Sequence, residues 1–283
     1  MKFPYPLVPS ITPDLTGFYR IPHEAYHQGV GISSSQVKKA LKSYAAYTSP
    51  ENTDSDALAF GRAFHMHLLE PGLALEAYRR IDLATRKSRA WDLFAAECHA
   101  KGKEPLLDCE DDQIMLMCGA IYLHPEYAKL PEFDAEIMAI NRCPDTGLQI
   151  KCKADLFGHA IVDFKSTSSG VTPAEFLNDV IKWNYHVSAA FYQDVIWLCT
   201  GERLPFVVVP VTKKAPFECE FYTLSDEMLE EGRKLYKAGL KRIRNWSLWP
   251  ESERITTEKK MRTLYPNGRL LYSTLDTLRF IEG

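Results

Sequence analysis

The sequence predicts an α/β fold in which a central sheet carries a row of acidic residues and helices cover its flanks. Three observations predict it. Apolar and polar residues alternate at period two through residues 135–142, 148–156 and 160–164, which reads as a three-stranded antiparallel meander. The wholly apolar run from Phe206 to Val211 reads as a further, buried strand. Segments with helix start and stop signals stand on both sides, over residues 36–47, 57–69, 108–123, 185–198 and 226–246. The 283 residues, 46% hydrophobic and 12% aromatic, suffice for a sizeable core. They divide into an irregular N-terminal arm over 1–30, a main domain over 31–250 and a C-terminal extension over 251–283 whose role the sequence leaves open.

Residues 1–30 are read as irregular because Pro4, Pro6, Pro9 and Pro13 block helix. Ser33, Ser34 and Ser35 offer capping oxygens for the first helix, whose stripe is Val37, Leu41 and Tyr44. Asp54, Ser55 and Asp56 cap the next, which stops at Pro71 and presents Leu58, Gly61, His65 and Leu68 on one face. Gly61 in a helix interior costs roughly 1 kcal/mol, so a close approach to the sheet is expected there. His67 falls off this stripe and is expected at the surface. Residues 79–103 gather Arg79, Arg80, Arg86, Lys87, Arg89, Lys101 and Lys103 around Trp91 and Phe94, a cluster able to pair with phosphates and stack on bases. An acidic first turn opens the helix over 108–123, which ends before His124-Pro125. After the meander, Thr172-Pro173-Ala174-Glu175 starts another helix. Residues 218–223 alternate like a hairpin partner for 206–211. The helix from Asp226 has acids at its start and Lys241, Arg242 and Arg244 near its end, matching the macrodipole. Farther on, Asn267-Gly268 marks a hairpin turn.

Register gives the meander its meaning. A first hairpin turning about Asp145-Thr146 sets Glu136 opposite Asp155. A second, turning about His159, sets Asp155 opposite Asp163. Opposed residues have Cβ atoms roughly 4.5–5.5 Å apart, so three carboxylates line up across adjacent strands. Asp163 and Lys165 share a face, while Val162 and Phe164 point the other way into a core. Opposed like charges destabilise a sheet, and divalent metal together with Lys165 would offset them. A solvated strand end carrying two acids is the plain structural alternative.

Asp155 followed by Asp163-Phe164-Lys165 on the next strand resembles the PD-(D/E)XK nuclease signature, with Ala154 where that signature often has Pro. More of the chain is similar to the RecE-like (exonuclease VIII) branch. The segments that carry this resemblance are GISSSQVKKALKSYAAY, ALAFGRAFHMHLLEP, TRKSRAWDLFAAECHAKGKEPLL, the meander and YHVSAAFYQDVI. The resemblance implies a restriction-endonuclease-like fold, a central mixed β-sheet flanked by α-helices. It implies 5′→3′ digestion of one strand of double-stranded DNA from a free end, leaving a 3′ tail for recombination. It also implies a homo-oligomeric ring and a single-strand annealing protein as partner, in the cytoplasm of a bacterial or phage-infected cell. His65 becomes a metal ligand by the same resemblance, as does the Phe164 carbonyl.

Phosphodiester hydrolysis needs an activated water, neutralised charge on phosphorus and a stabilised leaving alkoxide. Mg²⁺ held by one or two carboxylates supplies all three, and a histidine ligand makes Mn²⁺ acceptable. Asp155 and Asp163 are therefore expected to ligate one or two ions, with Asp163 touching both where two bind. Lys165 would orient the attacking water, and Glu136 would support the metal or its water. Arg62, Arg86, Lys87, Arg89, Trp91 and Tyr192 are the expected DNA contacts. In the wider nuclease group a Gln and a Tyr four apart often sit beside the acids. The matching pair here is Ser188 and Tyr192, and Gln193 points about 100° away round the helix.

Composition narrows the alternatives. A formal net charge of −3 means that DNA contact must come from a local basic patch. Seven cysteines without a C-x-x-C pattern read as reduced, buried thiols and cannot form the C-terminal four-cysteine Fe–S cluster of helicase-linked nucleases. No signal core or membrane-length apolar run is present, so a soluble intracellular protein is expected. Two rivals remain open: a sequence- or structure-specific DNA endonuclease of the same fold, and a non-enzymatic DNA-binding protein with an inactive site.

Overall fold

A computed structural model describes residues 5–50, 55–130, 132–250 and 254. The N-terminal third holds β1 (Gly17–Tyr19), α1 (His23–Gln28), α2 (Ser34–Lys42), α3 (Tyr44–Thr48), α4 (Asp56–Leu69) and α5 (Pro71–Ala77). Next come β2 (Tyr78–Ile81), α6 (Arg89–Ala100), β3 (Glu104–Leu107) and α7 (Asp108–Leu123). The meander follows as β4 (Asp134–Arg142), β5 (Gln149–Phe157) and β6 (Ile161–Thr167). Finally α8 (Pro173–Lys182), α9 (Tyr185–Thr200), β7 (Phe206–Thr212), β8 (Tyr222–Thr223) and α10 (Asp226–Leu248) complete the described chain.

The central sheet is mixed, as expected, with order β1-β4-β5-β6-β7-β8. Only β6 and β7 pair in parallel; every other neighbouring pair is antiparallel. A parallel pair needs a long crossover, and α8 with α9 supplies it. One face of the sheet buries Ile137, Ile150, Ile161 and Val208 against α2, α9 and α10 through Val37, Phe191 and Leu240. The other buries Val162, Phe164 and Val209 against Phe60, Phe64, Ile114 and Met117 of α4 and α7. Phe164, on the face opposite Asp163 and Lys165, is thus a core anchor.

Helix starts follow their caps. Ser33 and Gln36 form a capping box at α2, Ser55 accepts from the Leu58 amide at α4, and Thr172 with Glu175 forms the box at α8. The single helix expected over 36–47 is instead two. Ser43 is extended (φ −172°, ψ 166°), and its hydroxyl accepts from the Ala46 amide at 3.0 Å, starting α3. Serine competes in this way with helical continuation. Pro71, expected as a stop, also opens α5 at its first turn.

Residues 5–30 are not simply irregular. β1 pairs with β4 at the sheet edge, and Tyr26 of α1 packs on Met138 and Ile140. The prolines exclude a long helix but not a three-residue edge strand. Lys151 of β5 fixes α1 in place, donating to the Tyr26 and Gly29 carbonyls at 2.5 and 2.6 Å. The small parallel sheet of β2 and β3, with α6 between them, was not expected from the sequence. Of the expected strand over 218–223, only Tyr222–Thr223 pairs with β7, beside an isolated bridge from Val211 to Cys219. The Asn267-Gly268 hairpin lies outside the described residues, as does the extension over 251–283 apart from Arg254.

Gly61 is not a close-approach glycine, since a Cβ there would meet no atom within 4 Å. Gly232 is one. A Cβ on it would overlap the His186 carbonyl of α9, lying 2.7 Å from the carbonyl carbon. Gly232→Ala is therefore expected to push α10 off α9 and destabilise the fold by about 1–3 kcal/mol, the usual range for overpacking. Chemical denaturation of the purified variant checks it.

Candidate active site

The acids sit where β5 and β6 part. These strands pair only at Leu156–Val162 and Phe157–Ile161, so the ladder ends one position before Asp155 and Asp163. Between β4 and β5, the pairs Ala135–Leu156 and Ile137–Ala154 bracket Glu136 and Asp155. Both hairpins thus keep the expected register. Glu136 departs from regular strand geometry, with φ at +58°, a region that non-glycine residues enter at a cost. Asp155 turns the parted strands to use: its Oδ2 accepts the Phe164 N–H at 2.7 Å, a donor that the ended ladder leaves over.

His65 reaches this point from α4, its Nδ1 3.4 Å from Asp155 Oδ1. His65, Glu136 and Asp155 each offer a ligand atom, and the three atoms lie within 4.8 Å of one another. One imidazole nitrogen and two carboxylates fit a divalent cation such as Mg²⁺ or Mn²⁺. Glu136, expected only in support, is thus the third member of this candidate donor set. Asp163, expected as a ligand, is outside this trio; its Oδ2 is 2.5 Å from Lys165 Nζ. The same amine donates to the Phe164 carbonyl at 3.2 Å, and the Tyr185 ring lies 5.6 Å from it.

Electrostatics follow from burial and pairing. Asp155 and Asp163 are each 9% exposed. Burial opposes ionisation of Asp155, yet His65, Lys165 and the Phe164 N–H together hold its carboxyl below the usual range. Asp163 goes the other way: burial pushes it up, against the pull of Lys165. Burial likewise raises Glu136, opposed by Lys153. Burial disfavours the charged Lys165 amine, but Asp163 and Asp155 outweigh it and hold the amine above its ordinary value.

The expected DNA-facing group is only partly at the surface. Arg86 is committed inward: it grips Glu110 of α7 through Nε and Nη2 at 2.9 and 2.7 Å and lies over the Trp91 ring. Trp91 is 8% exposed and packs internally. Neither is presented to a duplex. Arg79 and Lys101 pair with Glu97, and Arg80 pairs with Asp111. Lys87 and Arg89 are exposed, and Arg62 is half-buried on the helix that carries His65. Tyr192 of α9 packs its ring edge-on to Phe206; burial pushes its hydroxyl well up, with Tyr26, Asp163 and Asp155 adding to the effect. Gln193 is occupied elsewhere, donating to the Leu204 carbonyl at 2.8 Å. His67 is buried rather than at the surface, its ring within 2.8 Å of the Ala63 carbonyl and 3.2 Å of Asp111.

Two lysines at the site were not expected. Lys153 is ion-paired with Glu136; its place two residues before Asp155 on a strand was the available signal. Lys38 of α2 donates to the Trp183 carbonyl at 3.4 Å, and its amine is lowered to about 8 by burial and by nearby Lys165. Nothing local in the sequence marked it, because Lys38 comes within electrostatic reach of Lys165 and Asp163 only in the fold.

Residues 33–259 match the family described as a PDDEXK-like domain of unknown function (DUF3799). Among solved structures, the chain is similar to a candidate exonuclease from Eubacterium rectale, with a TM-score of 0.57 and 18% identity. The match covers 89% of this chain and 98% of that one. No curated protein is a significant match. Among the described residues, no helix is long and apolar enough to cross a membrane.

Proposed function

Because the chain belongs to this family of PDDEXK-like domains, we propose that it is a divalent-metal-dependent deoxyribonuclease that digests one strand of double-stranded DNA in the 5′→3′ direction. The observation that carries this reading is the joining of a His65, Glu136 and Asp155 donor set to an Asp163–Lys165 pair at one break in the sheet. The fold shared with the E. rectale candidate exonuclease supports it.

His65, Glu136 and Asp155 would hold the cation, Mg²⁺ or Mn²⁺. When bound, such an ion supplies a water of lowered pKa and neutralises charge on the phosphate. Lys165, tied to Asp163 and the Phe164 carbonyl, holds its ammonium where it orients the attacking water and offsets phosphate charge. Asp163 fixes that amine and keeps it protonated. Lys87 and Arg89, both exposed, are left to meet the DNA backbone. The ring, the annealing partner and the 3′ tail belong to this reading through the RecE-like resemblance.

An end-labelled duplex tests it. With Mg²⁺ or Mn²⁺ the 5′ label is expected to be released as mononucleotide, chelator stops the release, and covalently closed circular DNA stays intact. Linearisation of the circle would support the endonuclease reading instead. Loss of the 3′ label first reverses the polarity, and binding without any hydrolysis leaves an inactive DNA-binding protein.

A further inference from the structure

Lys153 has no part in the reading above, yet its amine is in direct ion-pair contact with Glu136, one of the three donors. It leaves β5 on the same face as Asp155, two residues on. Both partners are largely withdrawn from water, with side chains 12% and 20% exposed, so solvent screens the pair weakly. The surroundings restrict the amine. The Tyr26 ring lies 5.7 Å from it, and the same ring lies 4.8 Å from the amine of Lys151, which is anchored on the Tyr26 and Gly29 carbonyls. Glu136 itself holds a left-handed backbone at φ +58°, and its carboxylate is aimed by two constraints, that backbone and Lys153.

We propose that Lys153 is a positioning residue that shares the Glu136 carboxylate with the divalent cation and thereby sets how tightly the site binds it. The inference rests on the metal centre of the proposed function. Two effects oppose each other when the amine is removed. Glu136 gains rotamer freedom, which weakens cation binding. A positive charge close to the cation is also lost, which strengthens it. At a weakly screened site the repulsion between a lysine and a doubly charged ion exceeds the rotamer entropy of one side chain. The charge effect decides the sign, so Lys153 keeps cation affinity low. An arriving phosphate brings negative charge that offsets the amine, which makes cation and DNA backbone bind cooperatively.

Titration calorimetry with Mn²⁺ alone, on the full chain, tests the proposal without reference to activity. Lys153→Met is expected to bind Mn²⁺ about tenfold tighter than wild type, and Lys153→Arg, which keeps the charge, close to wild type. Lys153→Gln serves in the same titration where the Met variant does not fold. Neutral variants that bind Mn²⁺ no tighter than a binding-competent wild type overturn the role of Lys153 and leave the nuclease reading standing. A wild type that binds no Mn²⁺ overturns the metal centre, and Mg²⁺-dependent digestion of linear DNA fails with it.

Discussion

Asp163→Ala and Lys165→Ala are each expected to slow DNA hydrolysis by at least about 10³-fold, the scale of losing a preorganised charged group at a transition state, while the protein stays folded. The folded outcome follows from the sheet. Val162 and Phe164 anchor β6 in the core on the opposite face and Ile161 anchors it on their own, and neither variant replaces these residues. The catalytic outcome follows from the pairing. Asp163 is the close partner of the Lys165 amine at 2.5 Å and a main reason that the amine stays charged despite burial. Without Asp163, Lys165 keeps the Phe164 carbonyl, the Tyr185 ring and the more distant Asp155. Its ammonium is then neither held nor fully favoured. Two residues acting as one unit are not additive, so the double variant is expected to be no slower than the worse single one. Initial rates on linear duplex, with circular dichroism and a thermal melt as fold controls, check all three. An undiminished rate in either pure single variant ends the assignment.

The parts of this site that the sequence reveals are those set by local periodicity. Alternation and turn residues place Glu136, Asp155 and Asp163 on three neighbouring strands, because the side-chain period of a strand is two and a turn fixes register. His65 needed the family resemblance, since a lone histidine on an apolar helix carries no local mark of ligation. What could not be read is partner choice. Arg86 reads as surface charge until α7 brings Glu110 against it, and His67 until the same helix brings Asp111. β1 finds its partner β4 more than a hundred residues later. The left-handed backbone of Glu136 has no signature either, because glycine or asparagine, not glutamate, normally marks that region.

The largest loss of stability is expected at Asp194, away from the chemistry. Its carboxylate, 7% exposed, joins three partners: Arg203 Nη1 at 2.5 Å from Oδ1, Arg233 Nε at 3.0 Å from Oδ2, and the Tyr236 hydroxyl. Arg233 and Tyr236 belong to α10 and Asp194 to α9, so this one group clasps the two helices that cover the sheet face beneath Lys165. Asp194→Ala strips the buried Tyr236 hydroxyl of its acceptor and leaves Arg233 with Glu230 alone, while half-exposed Arg203 turns to water; the loss is about 3–5 kcal/mol by analogy with broken buried pairs. At this chain length that lowers Tm by roughly 6–20 °C. The pH dependence has a definite sign. Burial opposes ionisation, but Arg233, Tyr236 and Arg203 hold the carboxyl below its ordinary value. A depressed folded-state pKa adds stability that is present in full above the unfolded value, about 3.9 for Asp. That stability is lost as pH falls through the folded value. The wild type should therefore lose ground relative to Asp194→Ala below about pH 4, and the two denaturation midpoints should converge in acid. Midpoints that stay equally far apart from pH 7 to pH 3 would show that packing, not the charge of Asp194, holds α10 to α9.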